Sequence, residues 1–169
     1  MTNNEITVYC KNINEHVAMN GGDTLGNLYE KLKDRLAFKP ICATLNNEVR
    51  SLHTRVFAPV QVEFFDAQSR LGDRVYLLSL CMLLYKAVSD LFPDTHLRIE
   101  HSVSNGIYCQ LYGGNALATA ENVEAIKARM KALIDQDLPF EPHTELTTDV
   151  VEKLRAQGLS DKAQVLTAT

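Results

Sequence analysis

The chain has 169 residues, 46% of them apolar, with a net charge of −4 and a pI near 5.7. That composition belongs to a folded chain of one ordinary domain or two small ones, and its acidity excludes a surface built throughout to neutralise phosphates. No apolar run approaches the ~20 residues of a membrane helix, and the start Met1-Thr2-Asn3-Asn4-Glu5 lacks the charged-then-apolar pattern of a secretory leader. A cytoplasmic protein without membrane association is expected. Cys10, Cys42, Cys81 and Cys109 lie far apart among apolar or aromatic neighbours, with no CxxC pair, and read as buried thiols.

Residues Ile6 to Cys10 alternate with the period of a strand, and a second extended run, His16 to Met19, follows a polar turn at Lys11-Asn12. After Gly21-Gly22, Asp23 or Thr24 is placed to cap a helix with its apolar face at Leu25, Leu28, Tyr29, Leu32 and Leu36. Ile41 to Leu45 reads as a strand, Asn46-Asn47 as a turn, and Val56 to Phe65 as further extended sequence. Strand, strand, helix, strand, strand is the order of a ubiquitin-like β-grasp, and of other α+β folds.

The pattern then changes. Gly72 to Phe92 has helical periodicity, with apolar residues at Leu77, Leu80, Cys81, Leu84, Ala87, Val88 and Leu91, and stops at Pro93. Val75, Leu78, Met82 and Leu83 are apolar too, so this helix is expected to be covered on more than one side. Leu97 to Val103 and Ile107 to Leu111 read as strands around Ser104-Asn105-Gly106. Thr119 caps a helix expected to run to about Gln136, and a Pro-interrupted stretch leads to a last helix with Asp149 and Glu152 in capping-box register, closed by Gly158.

Two stretches carry a resemblance. In layout and length the first sixty-odd residues resemble TGS domains, the β-grasp modules of threonyl-tRNA synthetases and some GTPases. The segments Leu83-Leu84-Tyr85-Lys86-Ala87-Val88, Leu91-Phe92-Pro93, Leu97-Arg98-Ile99-Glu100 and Val103 to Cys109 are similar to the second additional, editing-type domain of those synthetases. The combination looks most like the N-terminal region of bacterial uridine kinase-like nucleoside kinases, and Leu154 to Ala163 resembles the stretch before their kinase domain. The resemblance implies an α+β chain: a TGS domain over residues 1–65, then an editing-like region over 66–169 with a long central helix, cut before a kinase domain.

Editing in that family is implied to need a helical HxxxH, whose i, i+4 spacing puts both imidazoles on one face for metal binding or water positioning. Aligned back from Pro93, those positions hold Leu78 and Met82, neither able to move a proton, and a further histidine position holds Lys86. A later Cys and His pair of the family has no counterpart here. Phosphoryl transfer needs a GxxxxGK loop followed by Ser or Thr, and none occurs. No catalytic residue and no cofactor are therefore expected in this chain; ATP and magnesium would belong to the kinase domain of the parent.

Binding remains. Lys86 and Arg98 are placed to meet an anion, His101 sits near the turn, and Tyr108 or Cys109 lines a cleft wall; Asn105 and Gly106 serve first as turn formers. Each has an ordinary structural alternative: a solvated cation, a hydrogen-bonded histidine, a core side chain. The expectation is a regulatory module that binds a nucleotide, RNA or the kinase domain of the same polypeptide. The alternatives are a tRNA-editing or tRNA-binding fragment of synthetase type, and a structural module holding a homo-oligomer together.

Overall fold

The computed structural model describes residues 5–104, 106–114, 117–141 and 143–168. Strands β1 (Glu5–Cys10) and β2 (Glu15–Asn20) form an antiparallel hairpin, and the period-2 alternation of β1 sends Ile6, Val8 and Cys10 into the core. Helix α1 (Leu25–Leu32) starts in a capping box. The Thr24 hydroxyl accepts the Asn27 N–H at 3.1 Å, while the Asn27 side-chain oxygen accepts the Thr24 N–H at 2.9 Å. Leu25, Leu28 and Leu32 are buried, and Leu36, expected inside the helix, is buried just beyond its end.

Strands β3 (Cys42–Leu45), β4 (Glu48–Arg50) and β5 (Gln61–Phe65) complete the sheet, ordered β2-β1-β5-β3-β4. β1 and β5 run parallel, and the other neighbours are antiparallel. One helix packed on this mixed sheet is the ubiquitin-like β-grasp. β3 and β4 meet across a two-residue turn in which Asn46 and Asn47 both take positive φ, 48° and 71°, as a tight hairpin turn of that hand requires. The core gathers Val8, Met19, Leu25, Leu28, Val62 and Phe64. Four strands were expected; β4 is the fifth, and of the Val56 to Phe65 run only Gln61–Phe65 is a strand.

Helix α2 (Arg70–Leu91) is capped by Ser69, whose hydroxyl accepts the Gly72 N–H at 3.0 Å. It leads to an antiparallel ribbon of β6 (His96–Val103) and β7 (Gly106–Tyr112), then to α3 (Ala120–Asp135), where the Thr119 hydroxyl accepts the Asn122 N–H. A second core forms from Ala87, Val88, Leu97, Ile126 and Leu133. The expectation that α2 is covered on more than one side fails. Tyr76, Leu78 and Met82 are 50%, 57% and 60% exposed, and the residues α2 gives to the second core, Leu83, Leu84, Tyr85, Ala87 and Val88, all lie in its C-terminal half. At the ribbon's turn Ser104 takes positive φ, 53°, and Gly106 pairs with Val103 as the first residue of β7. Asn105 lies outside the described residues.

The chain divides into two compact units, Met1–Leu133 and Ile134–Thr169. In the second unit α4 (Thr147–Ala156) and α5 (Ser160–Thr167) pack on one another, with Val151, Leu159 and Ala163 buried. Gly158 ends α4 with φ of 76°. Asp149 is not a cap: Leu146 holds that position, and the Asp149 and Val150 N–H groups bond its carbonyl, so Asp149 sits in the first turn.

Candidate functional site

One face of α2, the inner face of the β6–β7 ribbon and α3 line an open cleft of about 500 Å³, within the size range of small-ligand sites. Leu77, Leu80 and Leu84 recur at helical spacing on one wall, Ile107 and Cys109 recur at strand spacing on the other, and Met130 of α3 joins them. Polar groups are few: Asp73 in the first turn of α2, and Ser102 and Ser104 toward the ribbon's turn. Cys81 and Cys109 also line the space. Burial holds the Cys109 thiol above its ordinary range, and the negative charge of a Cys81 thiolate would push it further the same way. The cleft offers apolar walls, hydroxyls, one carboxylate and two thiols. Among the described residues no group of three or more His, Cys, Asp or Glu is placed to hold a metal ion, and no helix is long and apolar enough to cross a membrane.

The residues expected from sequence scatter across three places. Cys109 faces the second core and the cavity, and Tyr108 faces outward, 50% exposed, which settles which of the pair points inward. Lys86 pairs with Asp90 one turn along α2, and Asp90 also receives Arg129. Arg98 lies with its guanidinium carbon 5.1 Å from the Tyr112 ring centre and its Nε 3.7 Å from Glu100. Lys86 and Arg98 thus belong to separate clusters. His101 packs beside Tyr108, ring centres 5.7 Å apart. Leu78 and Met82 do not line the cavity; they share the exposed face of α2. Asp73, Ser102, Ser104 and Met130 were missed, since only the pairing of distant elements brings them together.

All four cysteines are free. Cys10 and Cys42 are buried as expected, with thiols pushed up chiefly by that burial. Cys81 and Cys109 are only half-buried, because the cavity opens beside them.

No family model matches the chain. Curated relatives do. It is 28% identical over 140 residues to the threonine–tRNA ligase of Maricaulis maris, covering 83% of this chain and 22% of that protein. Against the threonine–tRNA ligase of Carboxydothermus hydrogenoformans it is 27% identical over 164 residues, 97% of this chain and 24% of the ligase. Against that of Clostridioides difficile it is 25% identical over 137 residues, 81% and 21%. What the chain is similar to is the N-terminal, TGS and editing-like region of threonine–tRNA ligases. It spans less than a quarter of the length of these relatives.

Proposed function

We propose that the chain is a non-hydrolytic, tRNA-binding module of threonyl-tRNA-synthetase type, with the β-grasp over residues 1–65 and the editing-like region from residue 66 as its two parts. The observation that carries this reading is the similarity to threonine–tRNA ligases over 83% of the chain, combined with leucine and methionine where the editing helix needs imidazoles. Leu78 and Met82 lie on the solvent-facing side of α2, so neither replaces the missing proton transfer. The cleft on the face of α2 that carries Leu77, Leu80 and Leu84 has the volume of a ligand site, with walls suited to an apolar group and hydroxyls suited to a sugar or ester.

Filter binding of threonine tRNA, with a deacylation assay on the Ser-charged form, tests it. Binding without deacylation is the expected result. Deacylation lost in Lys86→Ala or His101→Ala would replace this reading with an active editing enzyme, and no binding would remove it.

The finer expectation of a nucleoside kinase parent rests on the Leu97 to Cys109 and Leu154 to Ala163 resemblances. The ligases named above lend it no support. Titration with uridine and cytidine nucleotides separates it from tRNA binding, and a GxxxxGK segment in the encoding frame after Thr169 would establish the parent.

A further inference from the structure

The face of the β6–β7 ribbon turned away from α2 carries a strip of rings. His96 and Tyr112 pair across the strands with ring centres 5.3 Å apart, and the Arg98 guanidinium lies 5.1 Å from the same Tyr112 ring. Toward the turn, His101 and Tyr108 pair at 5.7 Å. Tyr108 and Tyr112 are four residues apart on one strand, on the same side and ~13 Å from one another.

The second pair exists because the ladder slips. Ile99 faces Cys109, but Ser102 faces Ile107, so Glu100 and His101 together lie opposite Tyr108. A regular ladder would set Glu100 across from Tyr108 and turn His101 to the cavity side; the extra residue re-aims His101 onto the outer face. Arg98, His101 and Tyr108 are exposed and His96 and Tyr112 half-buried, so the strip presents π-faces, a cation for phosphate and hydrogen-bond donors. The one carboxylate among them, Glu100, is drawn to Arg98 at 3.7 Å.

We propose that this outer strip is a binding surface for single-stranded RNA, with bases stacking on Tyr108 and Tyr112 and Arg98 meeting the backbone. Stacking on aromatic side chains is sequence-tolerant because every base has a π-face, and Arg98 sets a cation beside the Tyr112 ring. The strip lies on the opposite side of the ribbon from the cavity, so it adds a second contact to the tRNA-binding reading and extends that reading.

The test is fluorescence anisotropy with a labelled single-stranded oligoadenosine octamer at low salt, beside an abasic octamer of the same length. Tyr108→Leu is expected to weaken octamer binding about tenfold, with Arg98→Gln weakening it less. Tyr108→Phe, which keeps the ring, and Tyr76→Leu, an exposed ring on α2, should leave it unchanged. The abasic octamer should bind far more weakly than the oligoadenosine. Equal binding by wild type and Tyr108→Leu overturns the proposal, as does equal binding of the two octamers, no octamer binding, or tighter capture of a proline-rich peptide of similar length. If intact tRNA binds while Tyr108→Leu changes nothing, the strip falls and the tRNA reading stands; if the octamer binds and tRNA does not, the reverse holds.

Discussion

Arg129 on α3 donates from its Nε and a terminal nitrogen to the same carboxylate oxygen of Asp90 on α2, at 3.0 and 2.6 Å, while Lys86 takes the other oxygen. The carboxylate therefore ties together the two helices that wall the cavity. Hydrogen bonds from Lys86 and then Arg129 hold the Asp90 carboxyl below its ordinary range.

That shift sets a sign. A carboxyl whose folded pKa is depressed stabilises the fold above its unfolded pKa of about 4, and the contribution disappears as pH falls through the lower folded value. Asp90→Asn is expected to cost about 0.5–1 kcal/mol at neutral pH, a modest figure because both cations are partly solvated. It should also flatten the stability profile below about pH 4. Urea melts of wild type and variant at pH 7 and pH 3 measure both effects; an unchanged difference at the two pH values would show that the pair contributes nothing.

Gly72 fixes the entry to α2. A Cβ there would lie 1.7 Å from the Asp66 carbonyl oxygen and 2.9 Å from the Ser69 hydroxyl that caps the helix. The obstacle is backbone, which cannot swing aside as a side chain does. Gly72→Ala is expected to destabilise by about 1–3 kcal/mol, as overpacking does, despite the better helix propensity of alanine. Thermal melting followed by circular dichroism checks the direction.

At the other helix start, Thr24→Ala removes the hydroxyl that accepts the Asn27 N–H. The expected loss is about 1 kcal/mol. Asn27→Ala, which removes the reciprocal bond to the Thr24 N–H, should cost less when made after Thr24→Ala than when made alone. A double-mutant cycle in urea reads that coupling directly.

These local devices differ in how openly the sequence displays them. The α1 cap and the Asn46-Asn47 turn were legible, because capping side chains and positive-φ residues are local signals. β4 was not: Glu48, Val49 and Arg50 are all exposed, so no buried alternation marks it. α5 escaped for a related reason, since few of its residues are buried and its cap, Leu159, has no side-chain acceptor. The exposed side of α2 was unreadable for the opposite cause. A helix apolar all round contains no record of which side its neighbours take, and that ambiguity concealed both the cavity wall at Leu77, Leu80 and Leu84 and the outward position of Leu78 and Met82. His101 was noticed from its place beside the turn, but its partner depended on the one-residue slip between Ile99 and Ser102, which no sequence period announces.

The outward position of Leu78 and Met82 gives a last test. They are one helical turn apart on the same side of α2, 57% and 60% exposed, so Leu78→His with Met82→His places two imidazoles within reach of one metal ion. Because neither side chain is in a core, the double variant should unfold within about 0.5 kcal/mol of wild type without metal. Nickel or zinc should then raise its Tm in a concentration-dependent way, as a ligand of the folded state does, and neither single variant should respond comparably. A large destabilisation before metal is added would mean that this face is packed against something. A stable double variant indifferent to nickel would mean that the two positions do not converge. The expected response would establish that positions 78 and 82 project to the same side of α2 and converge.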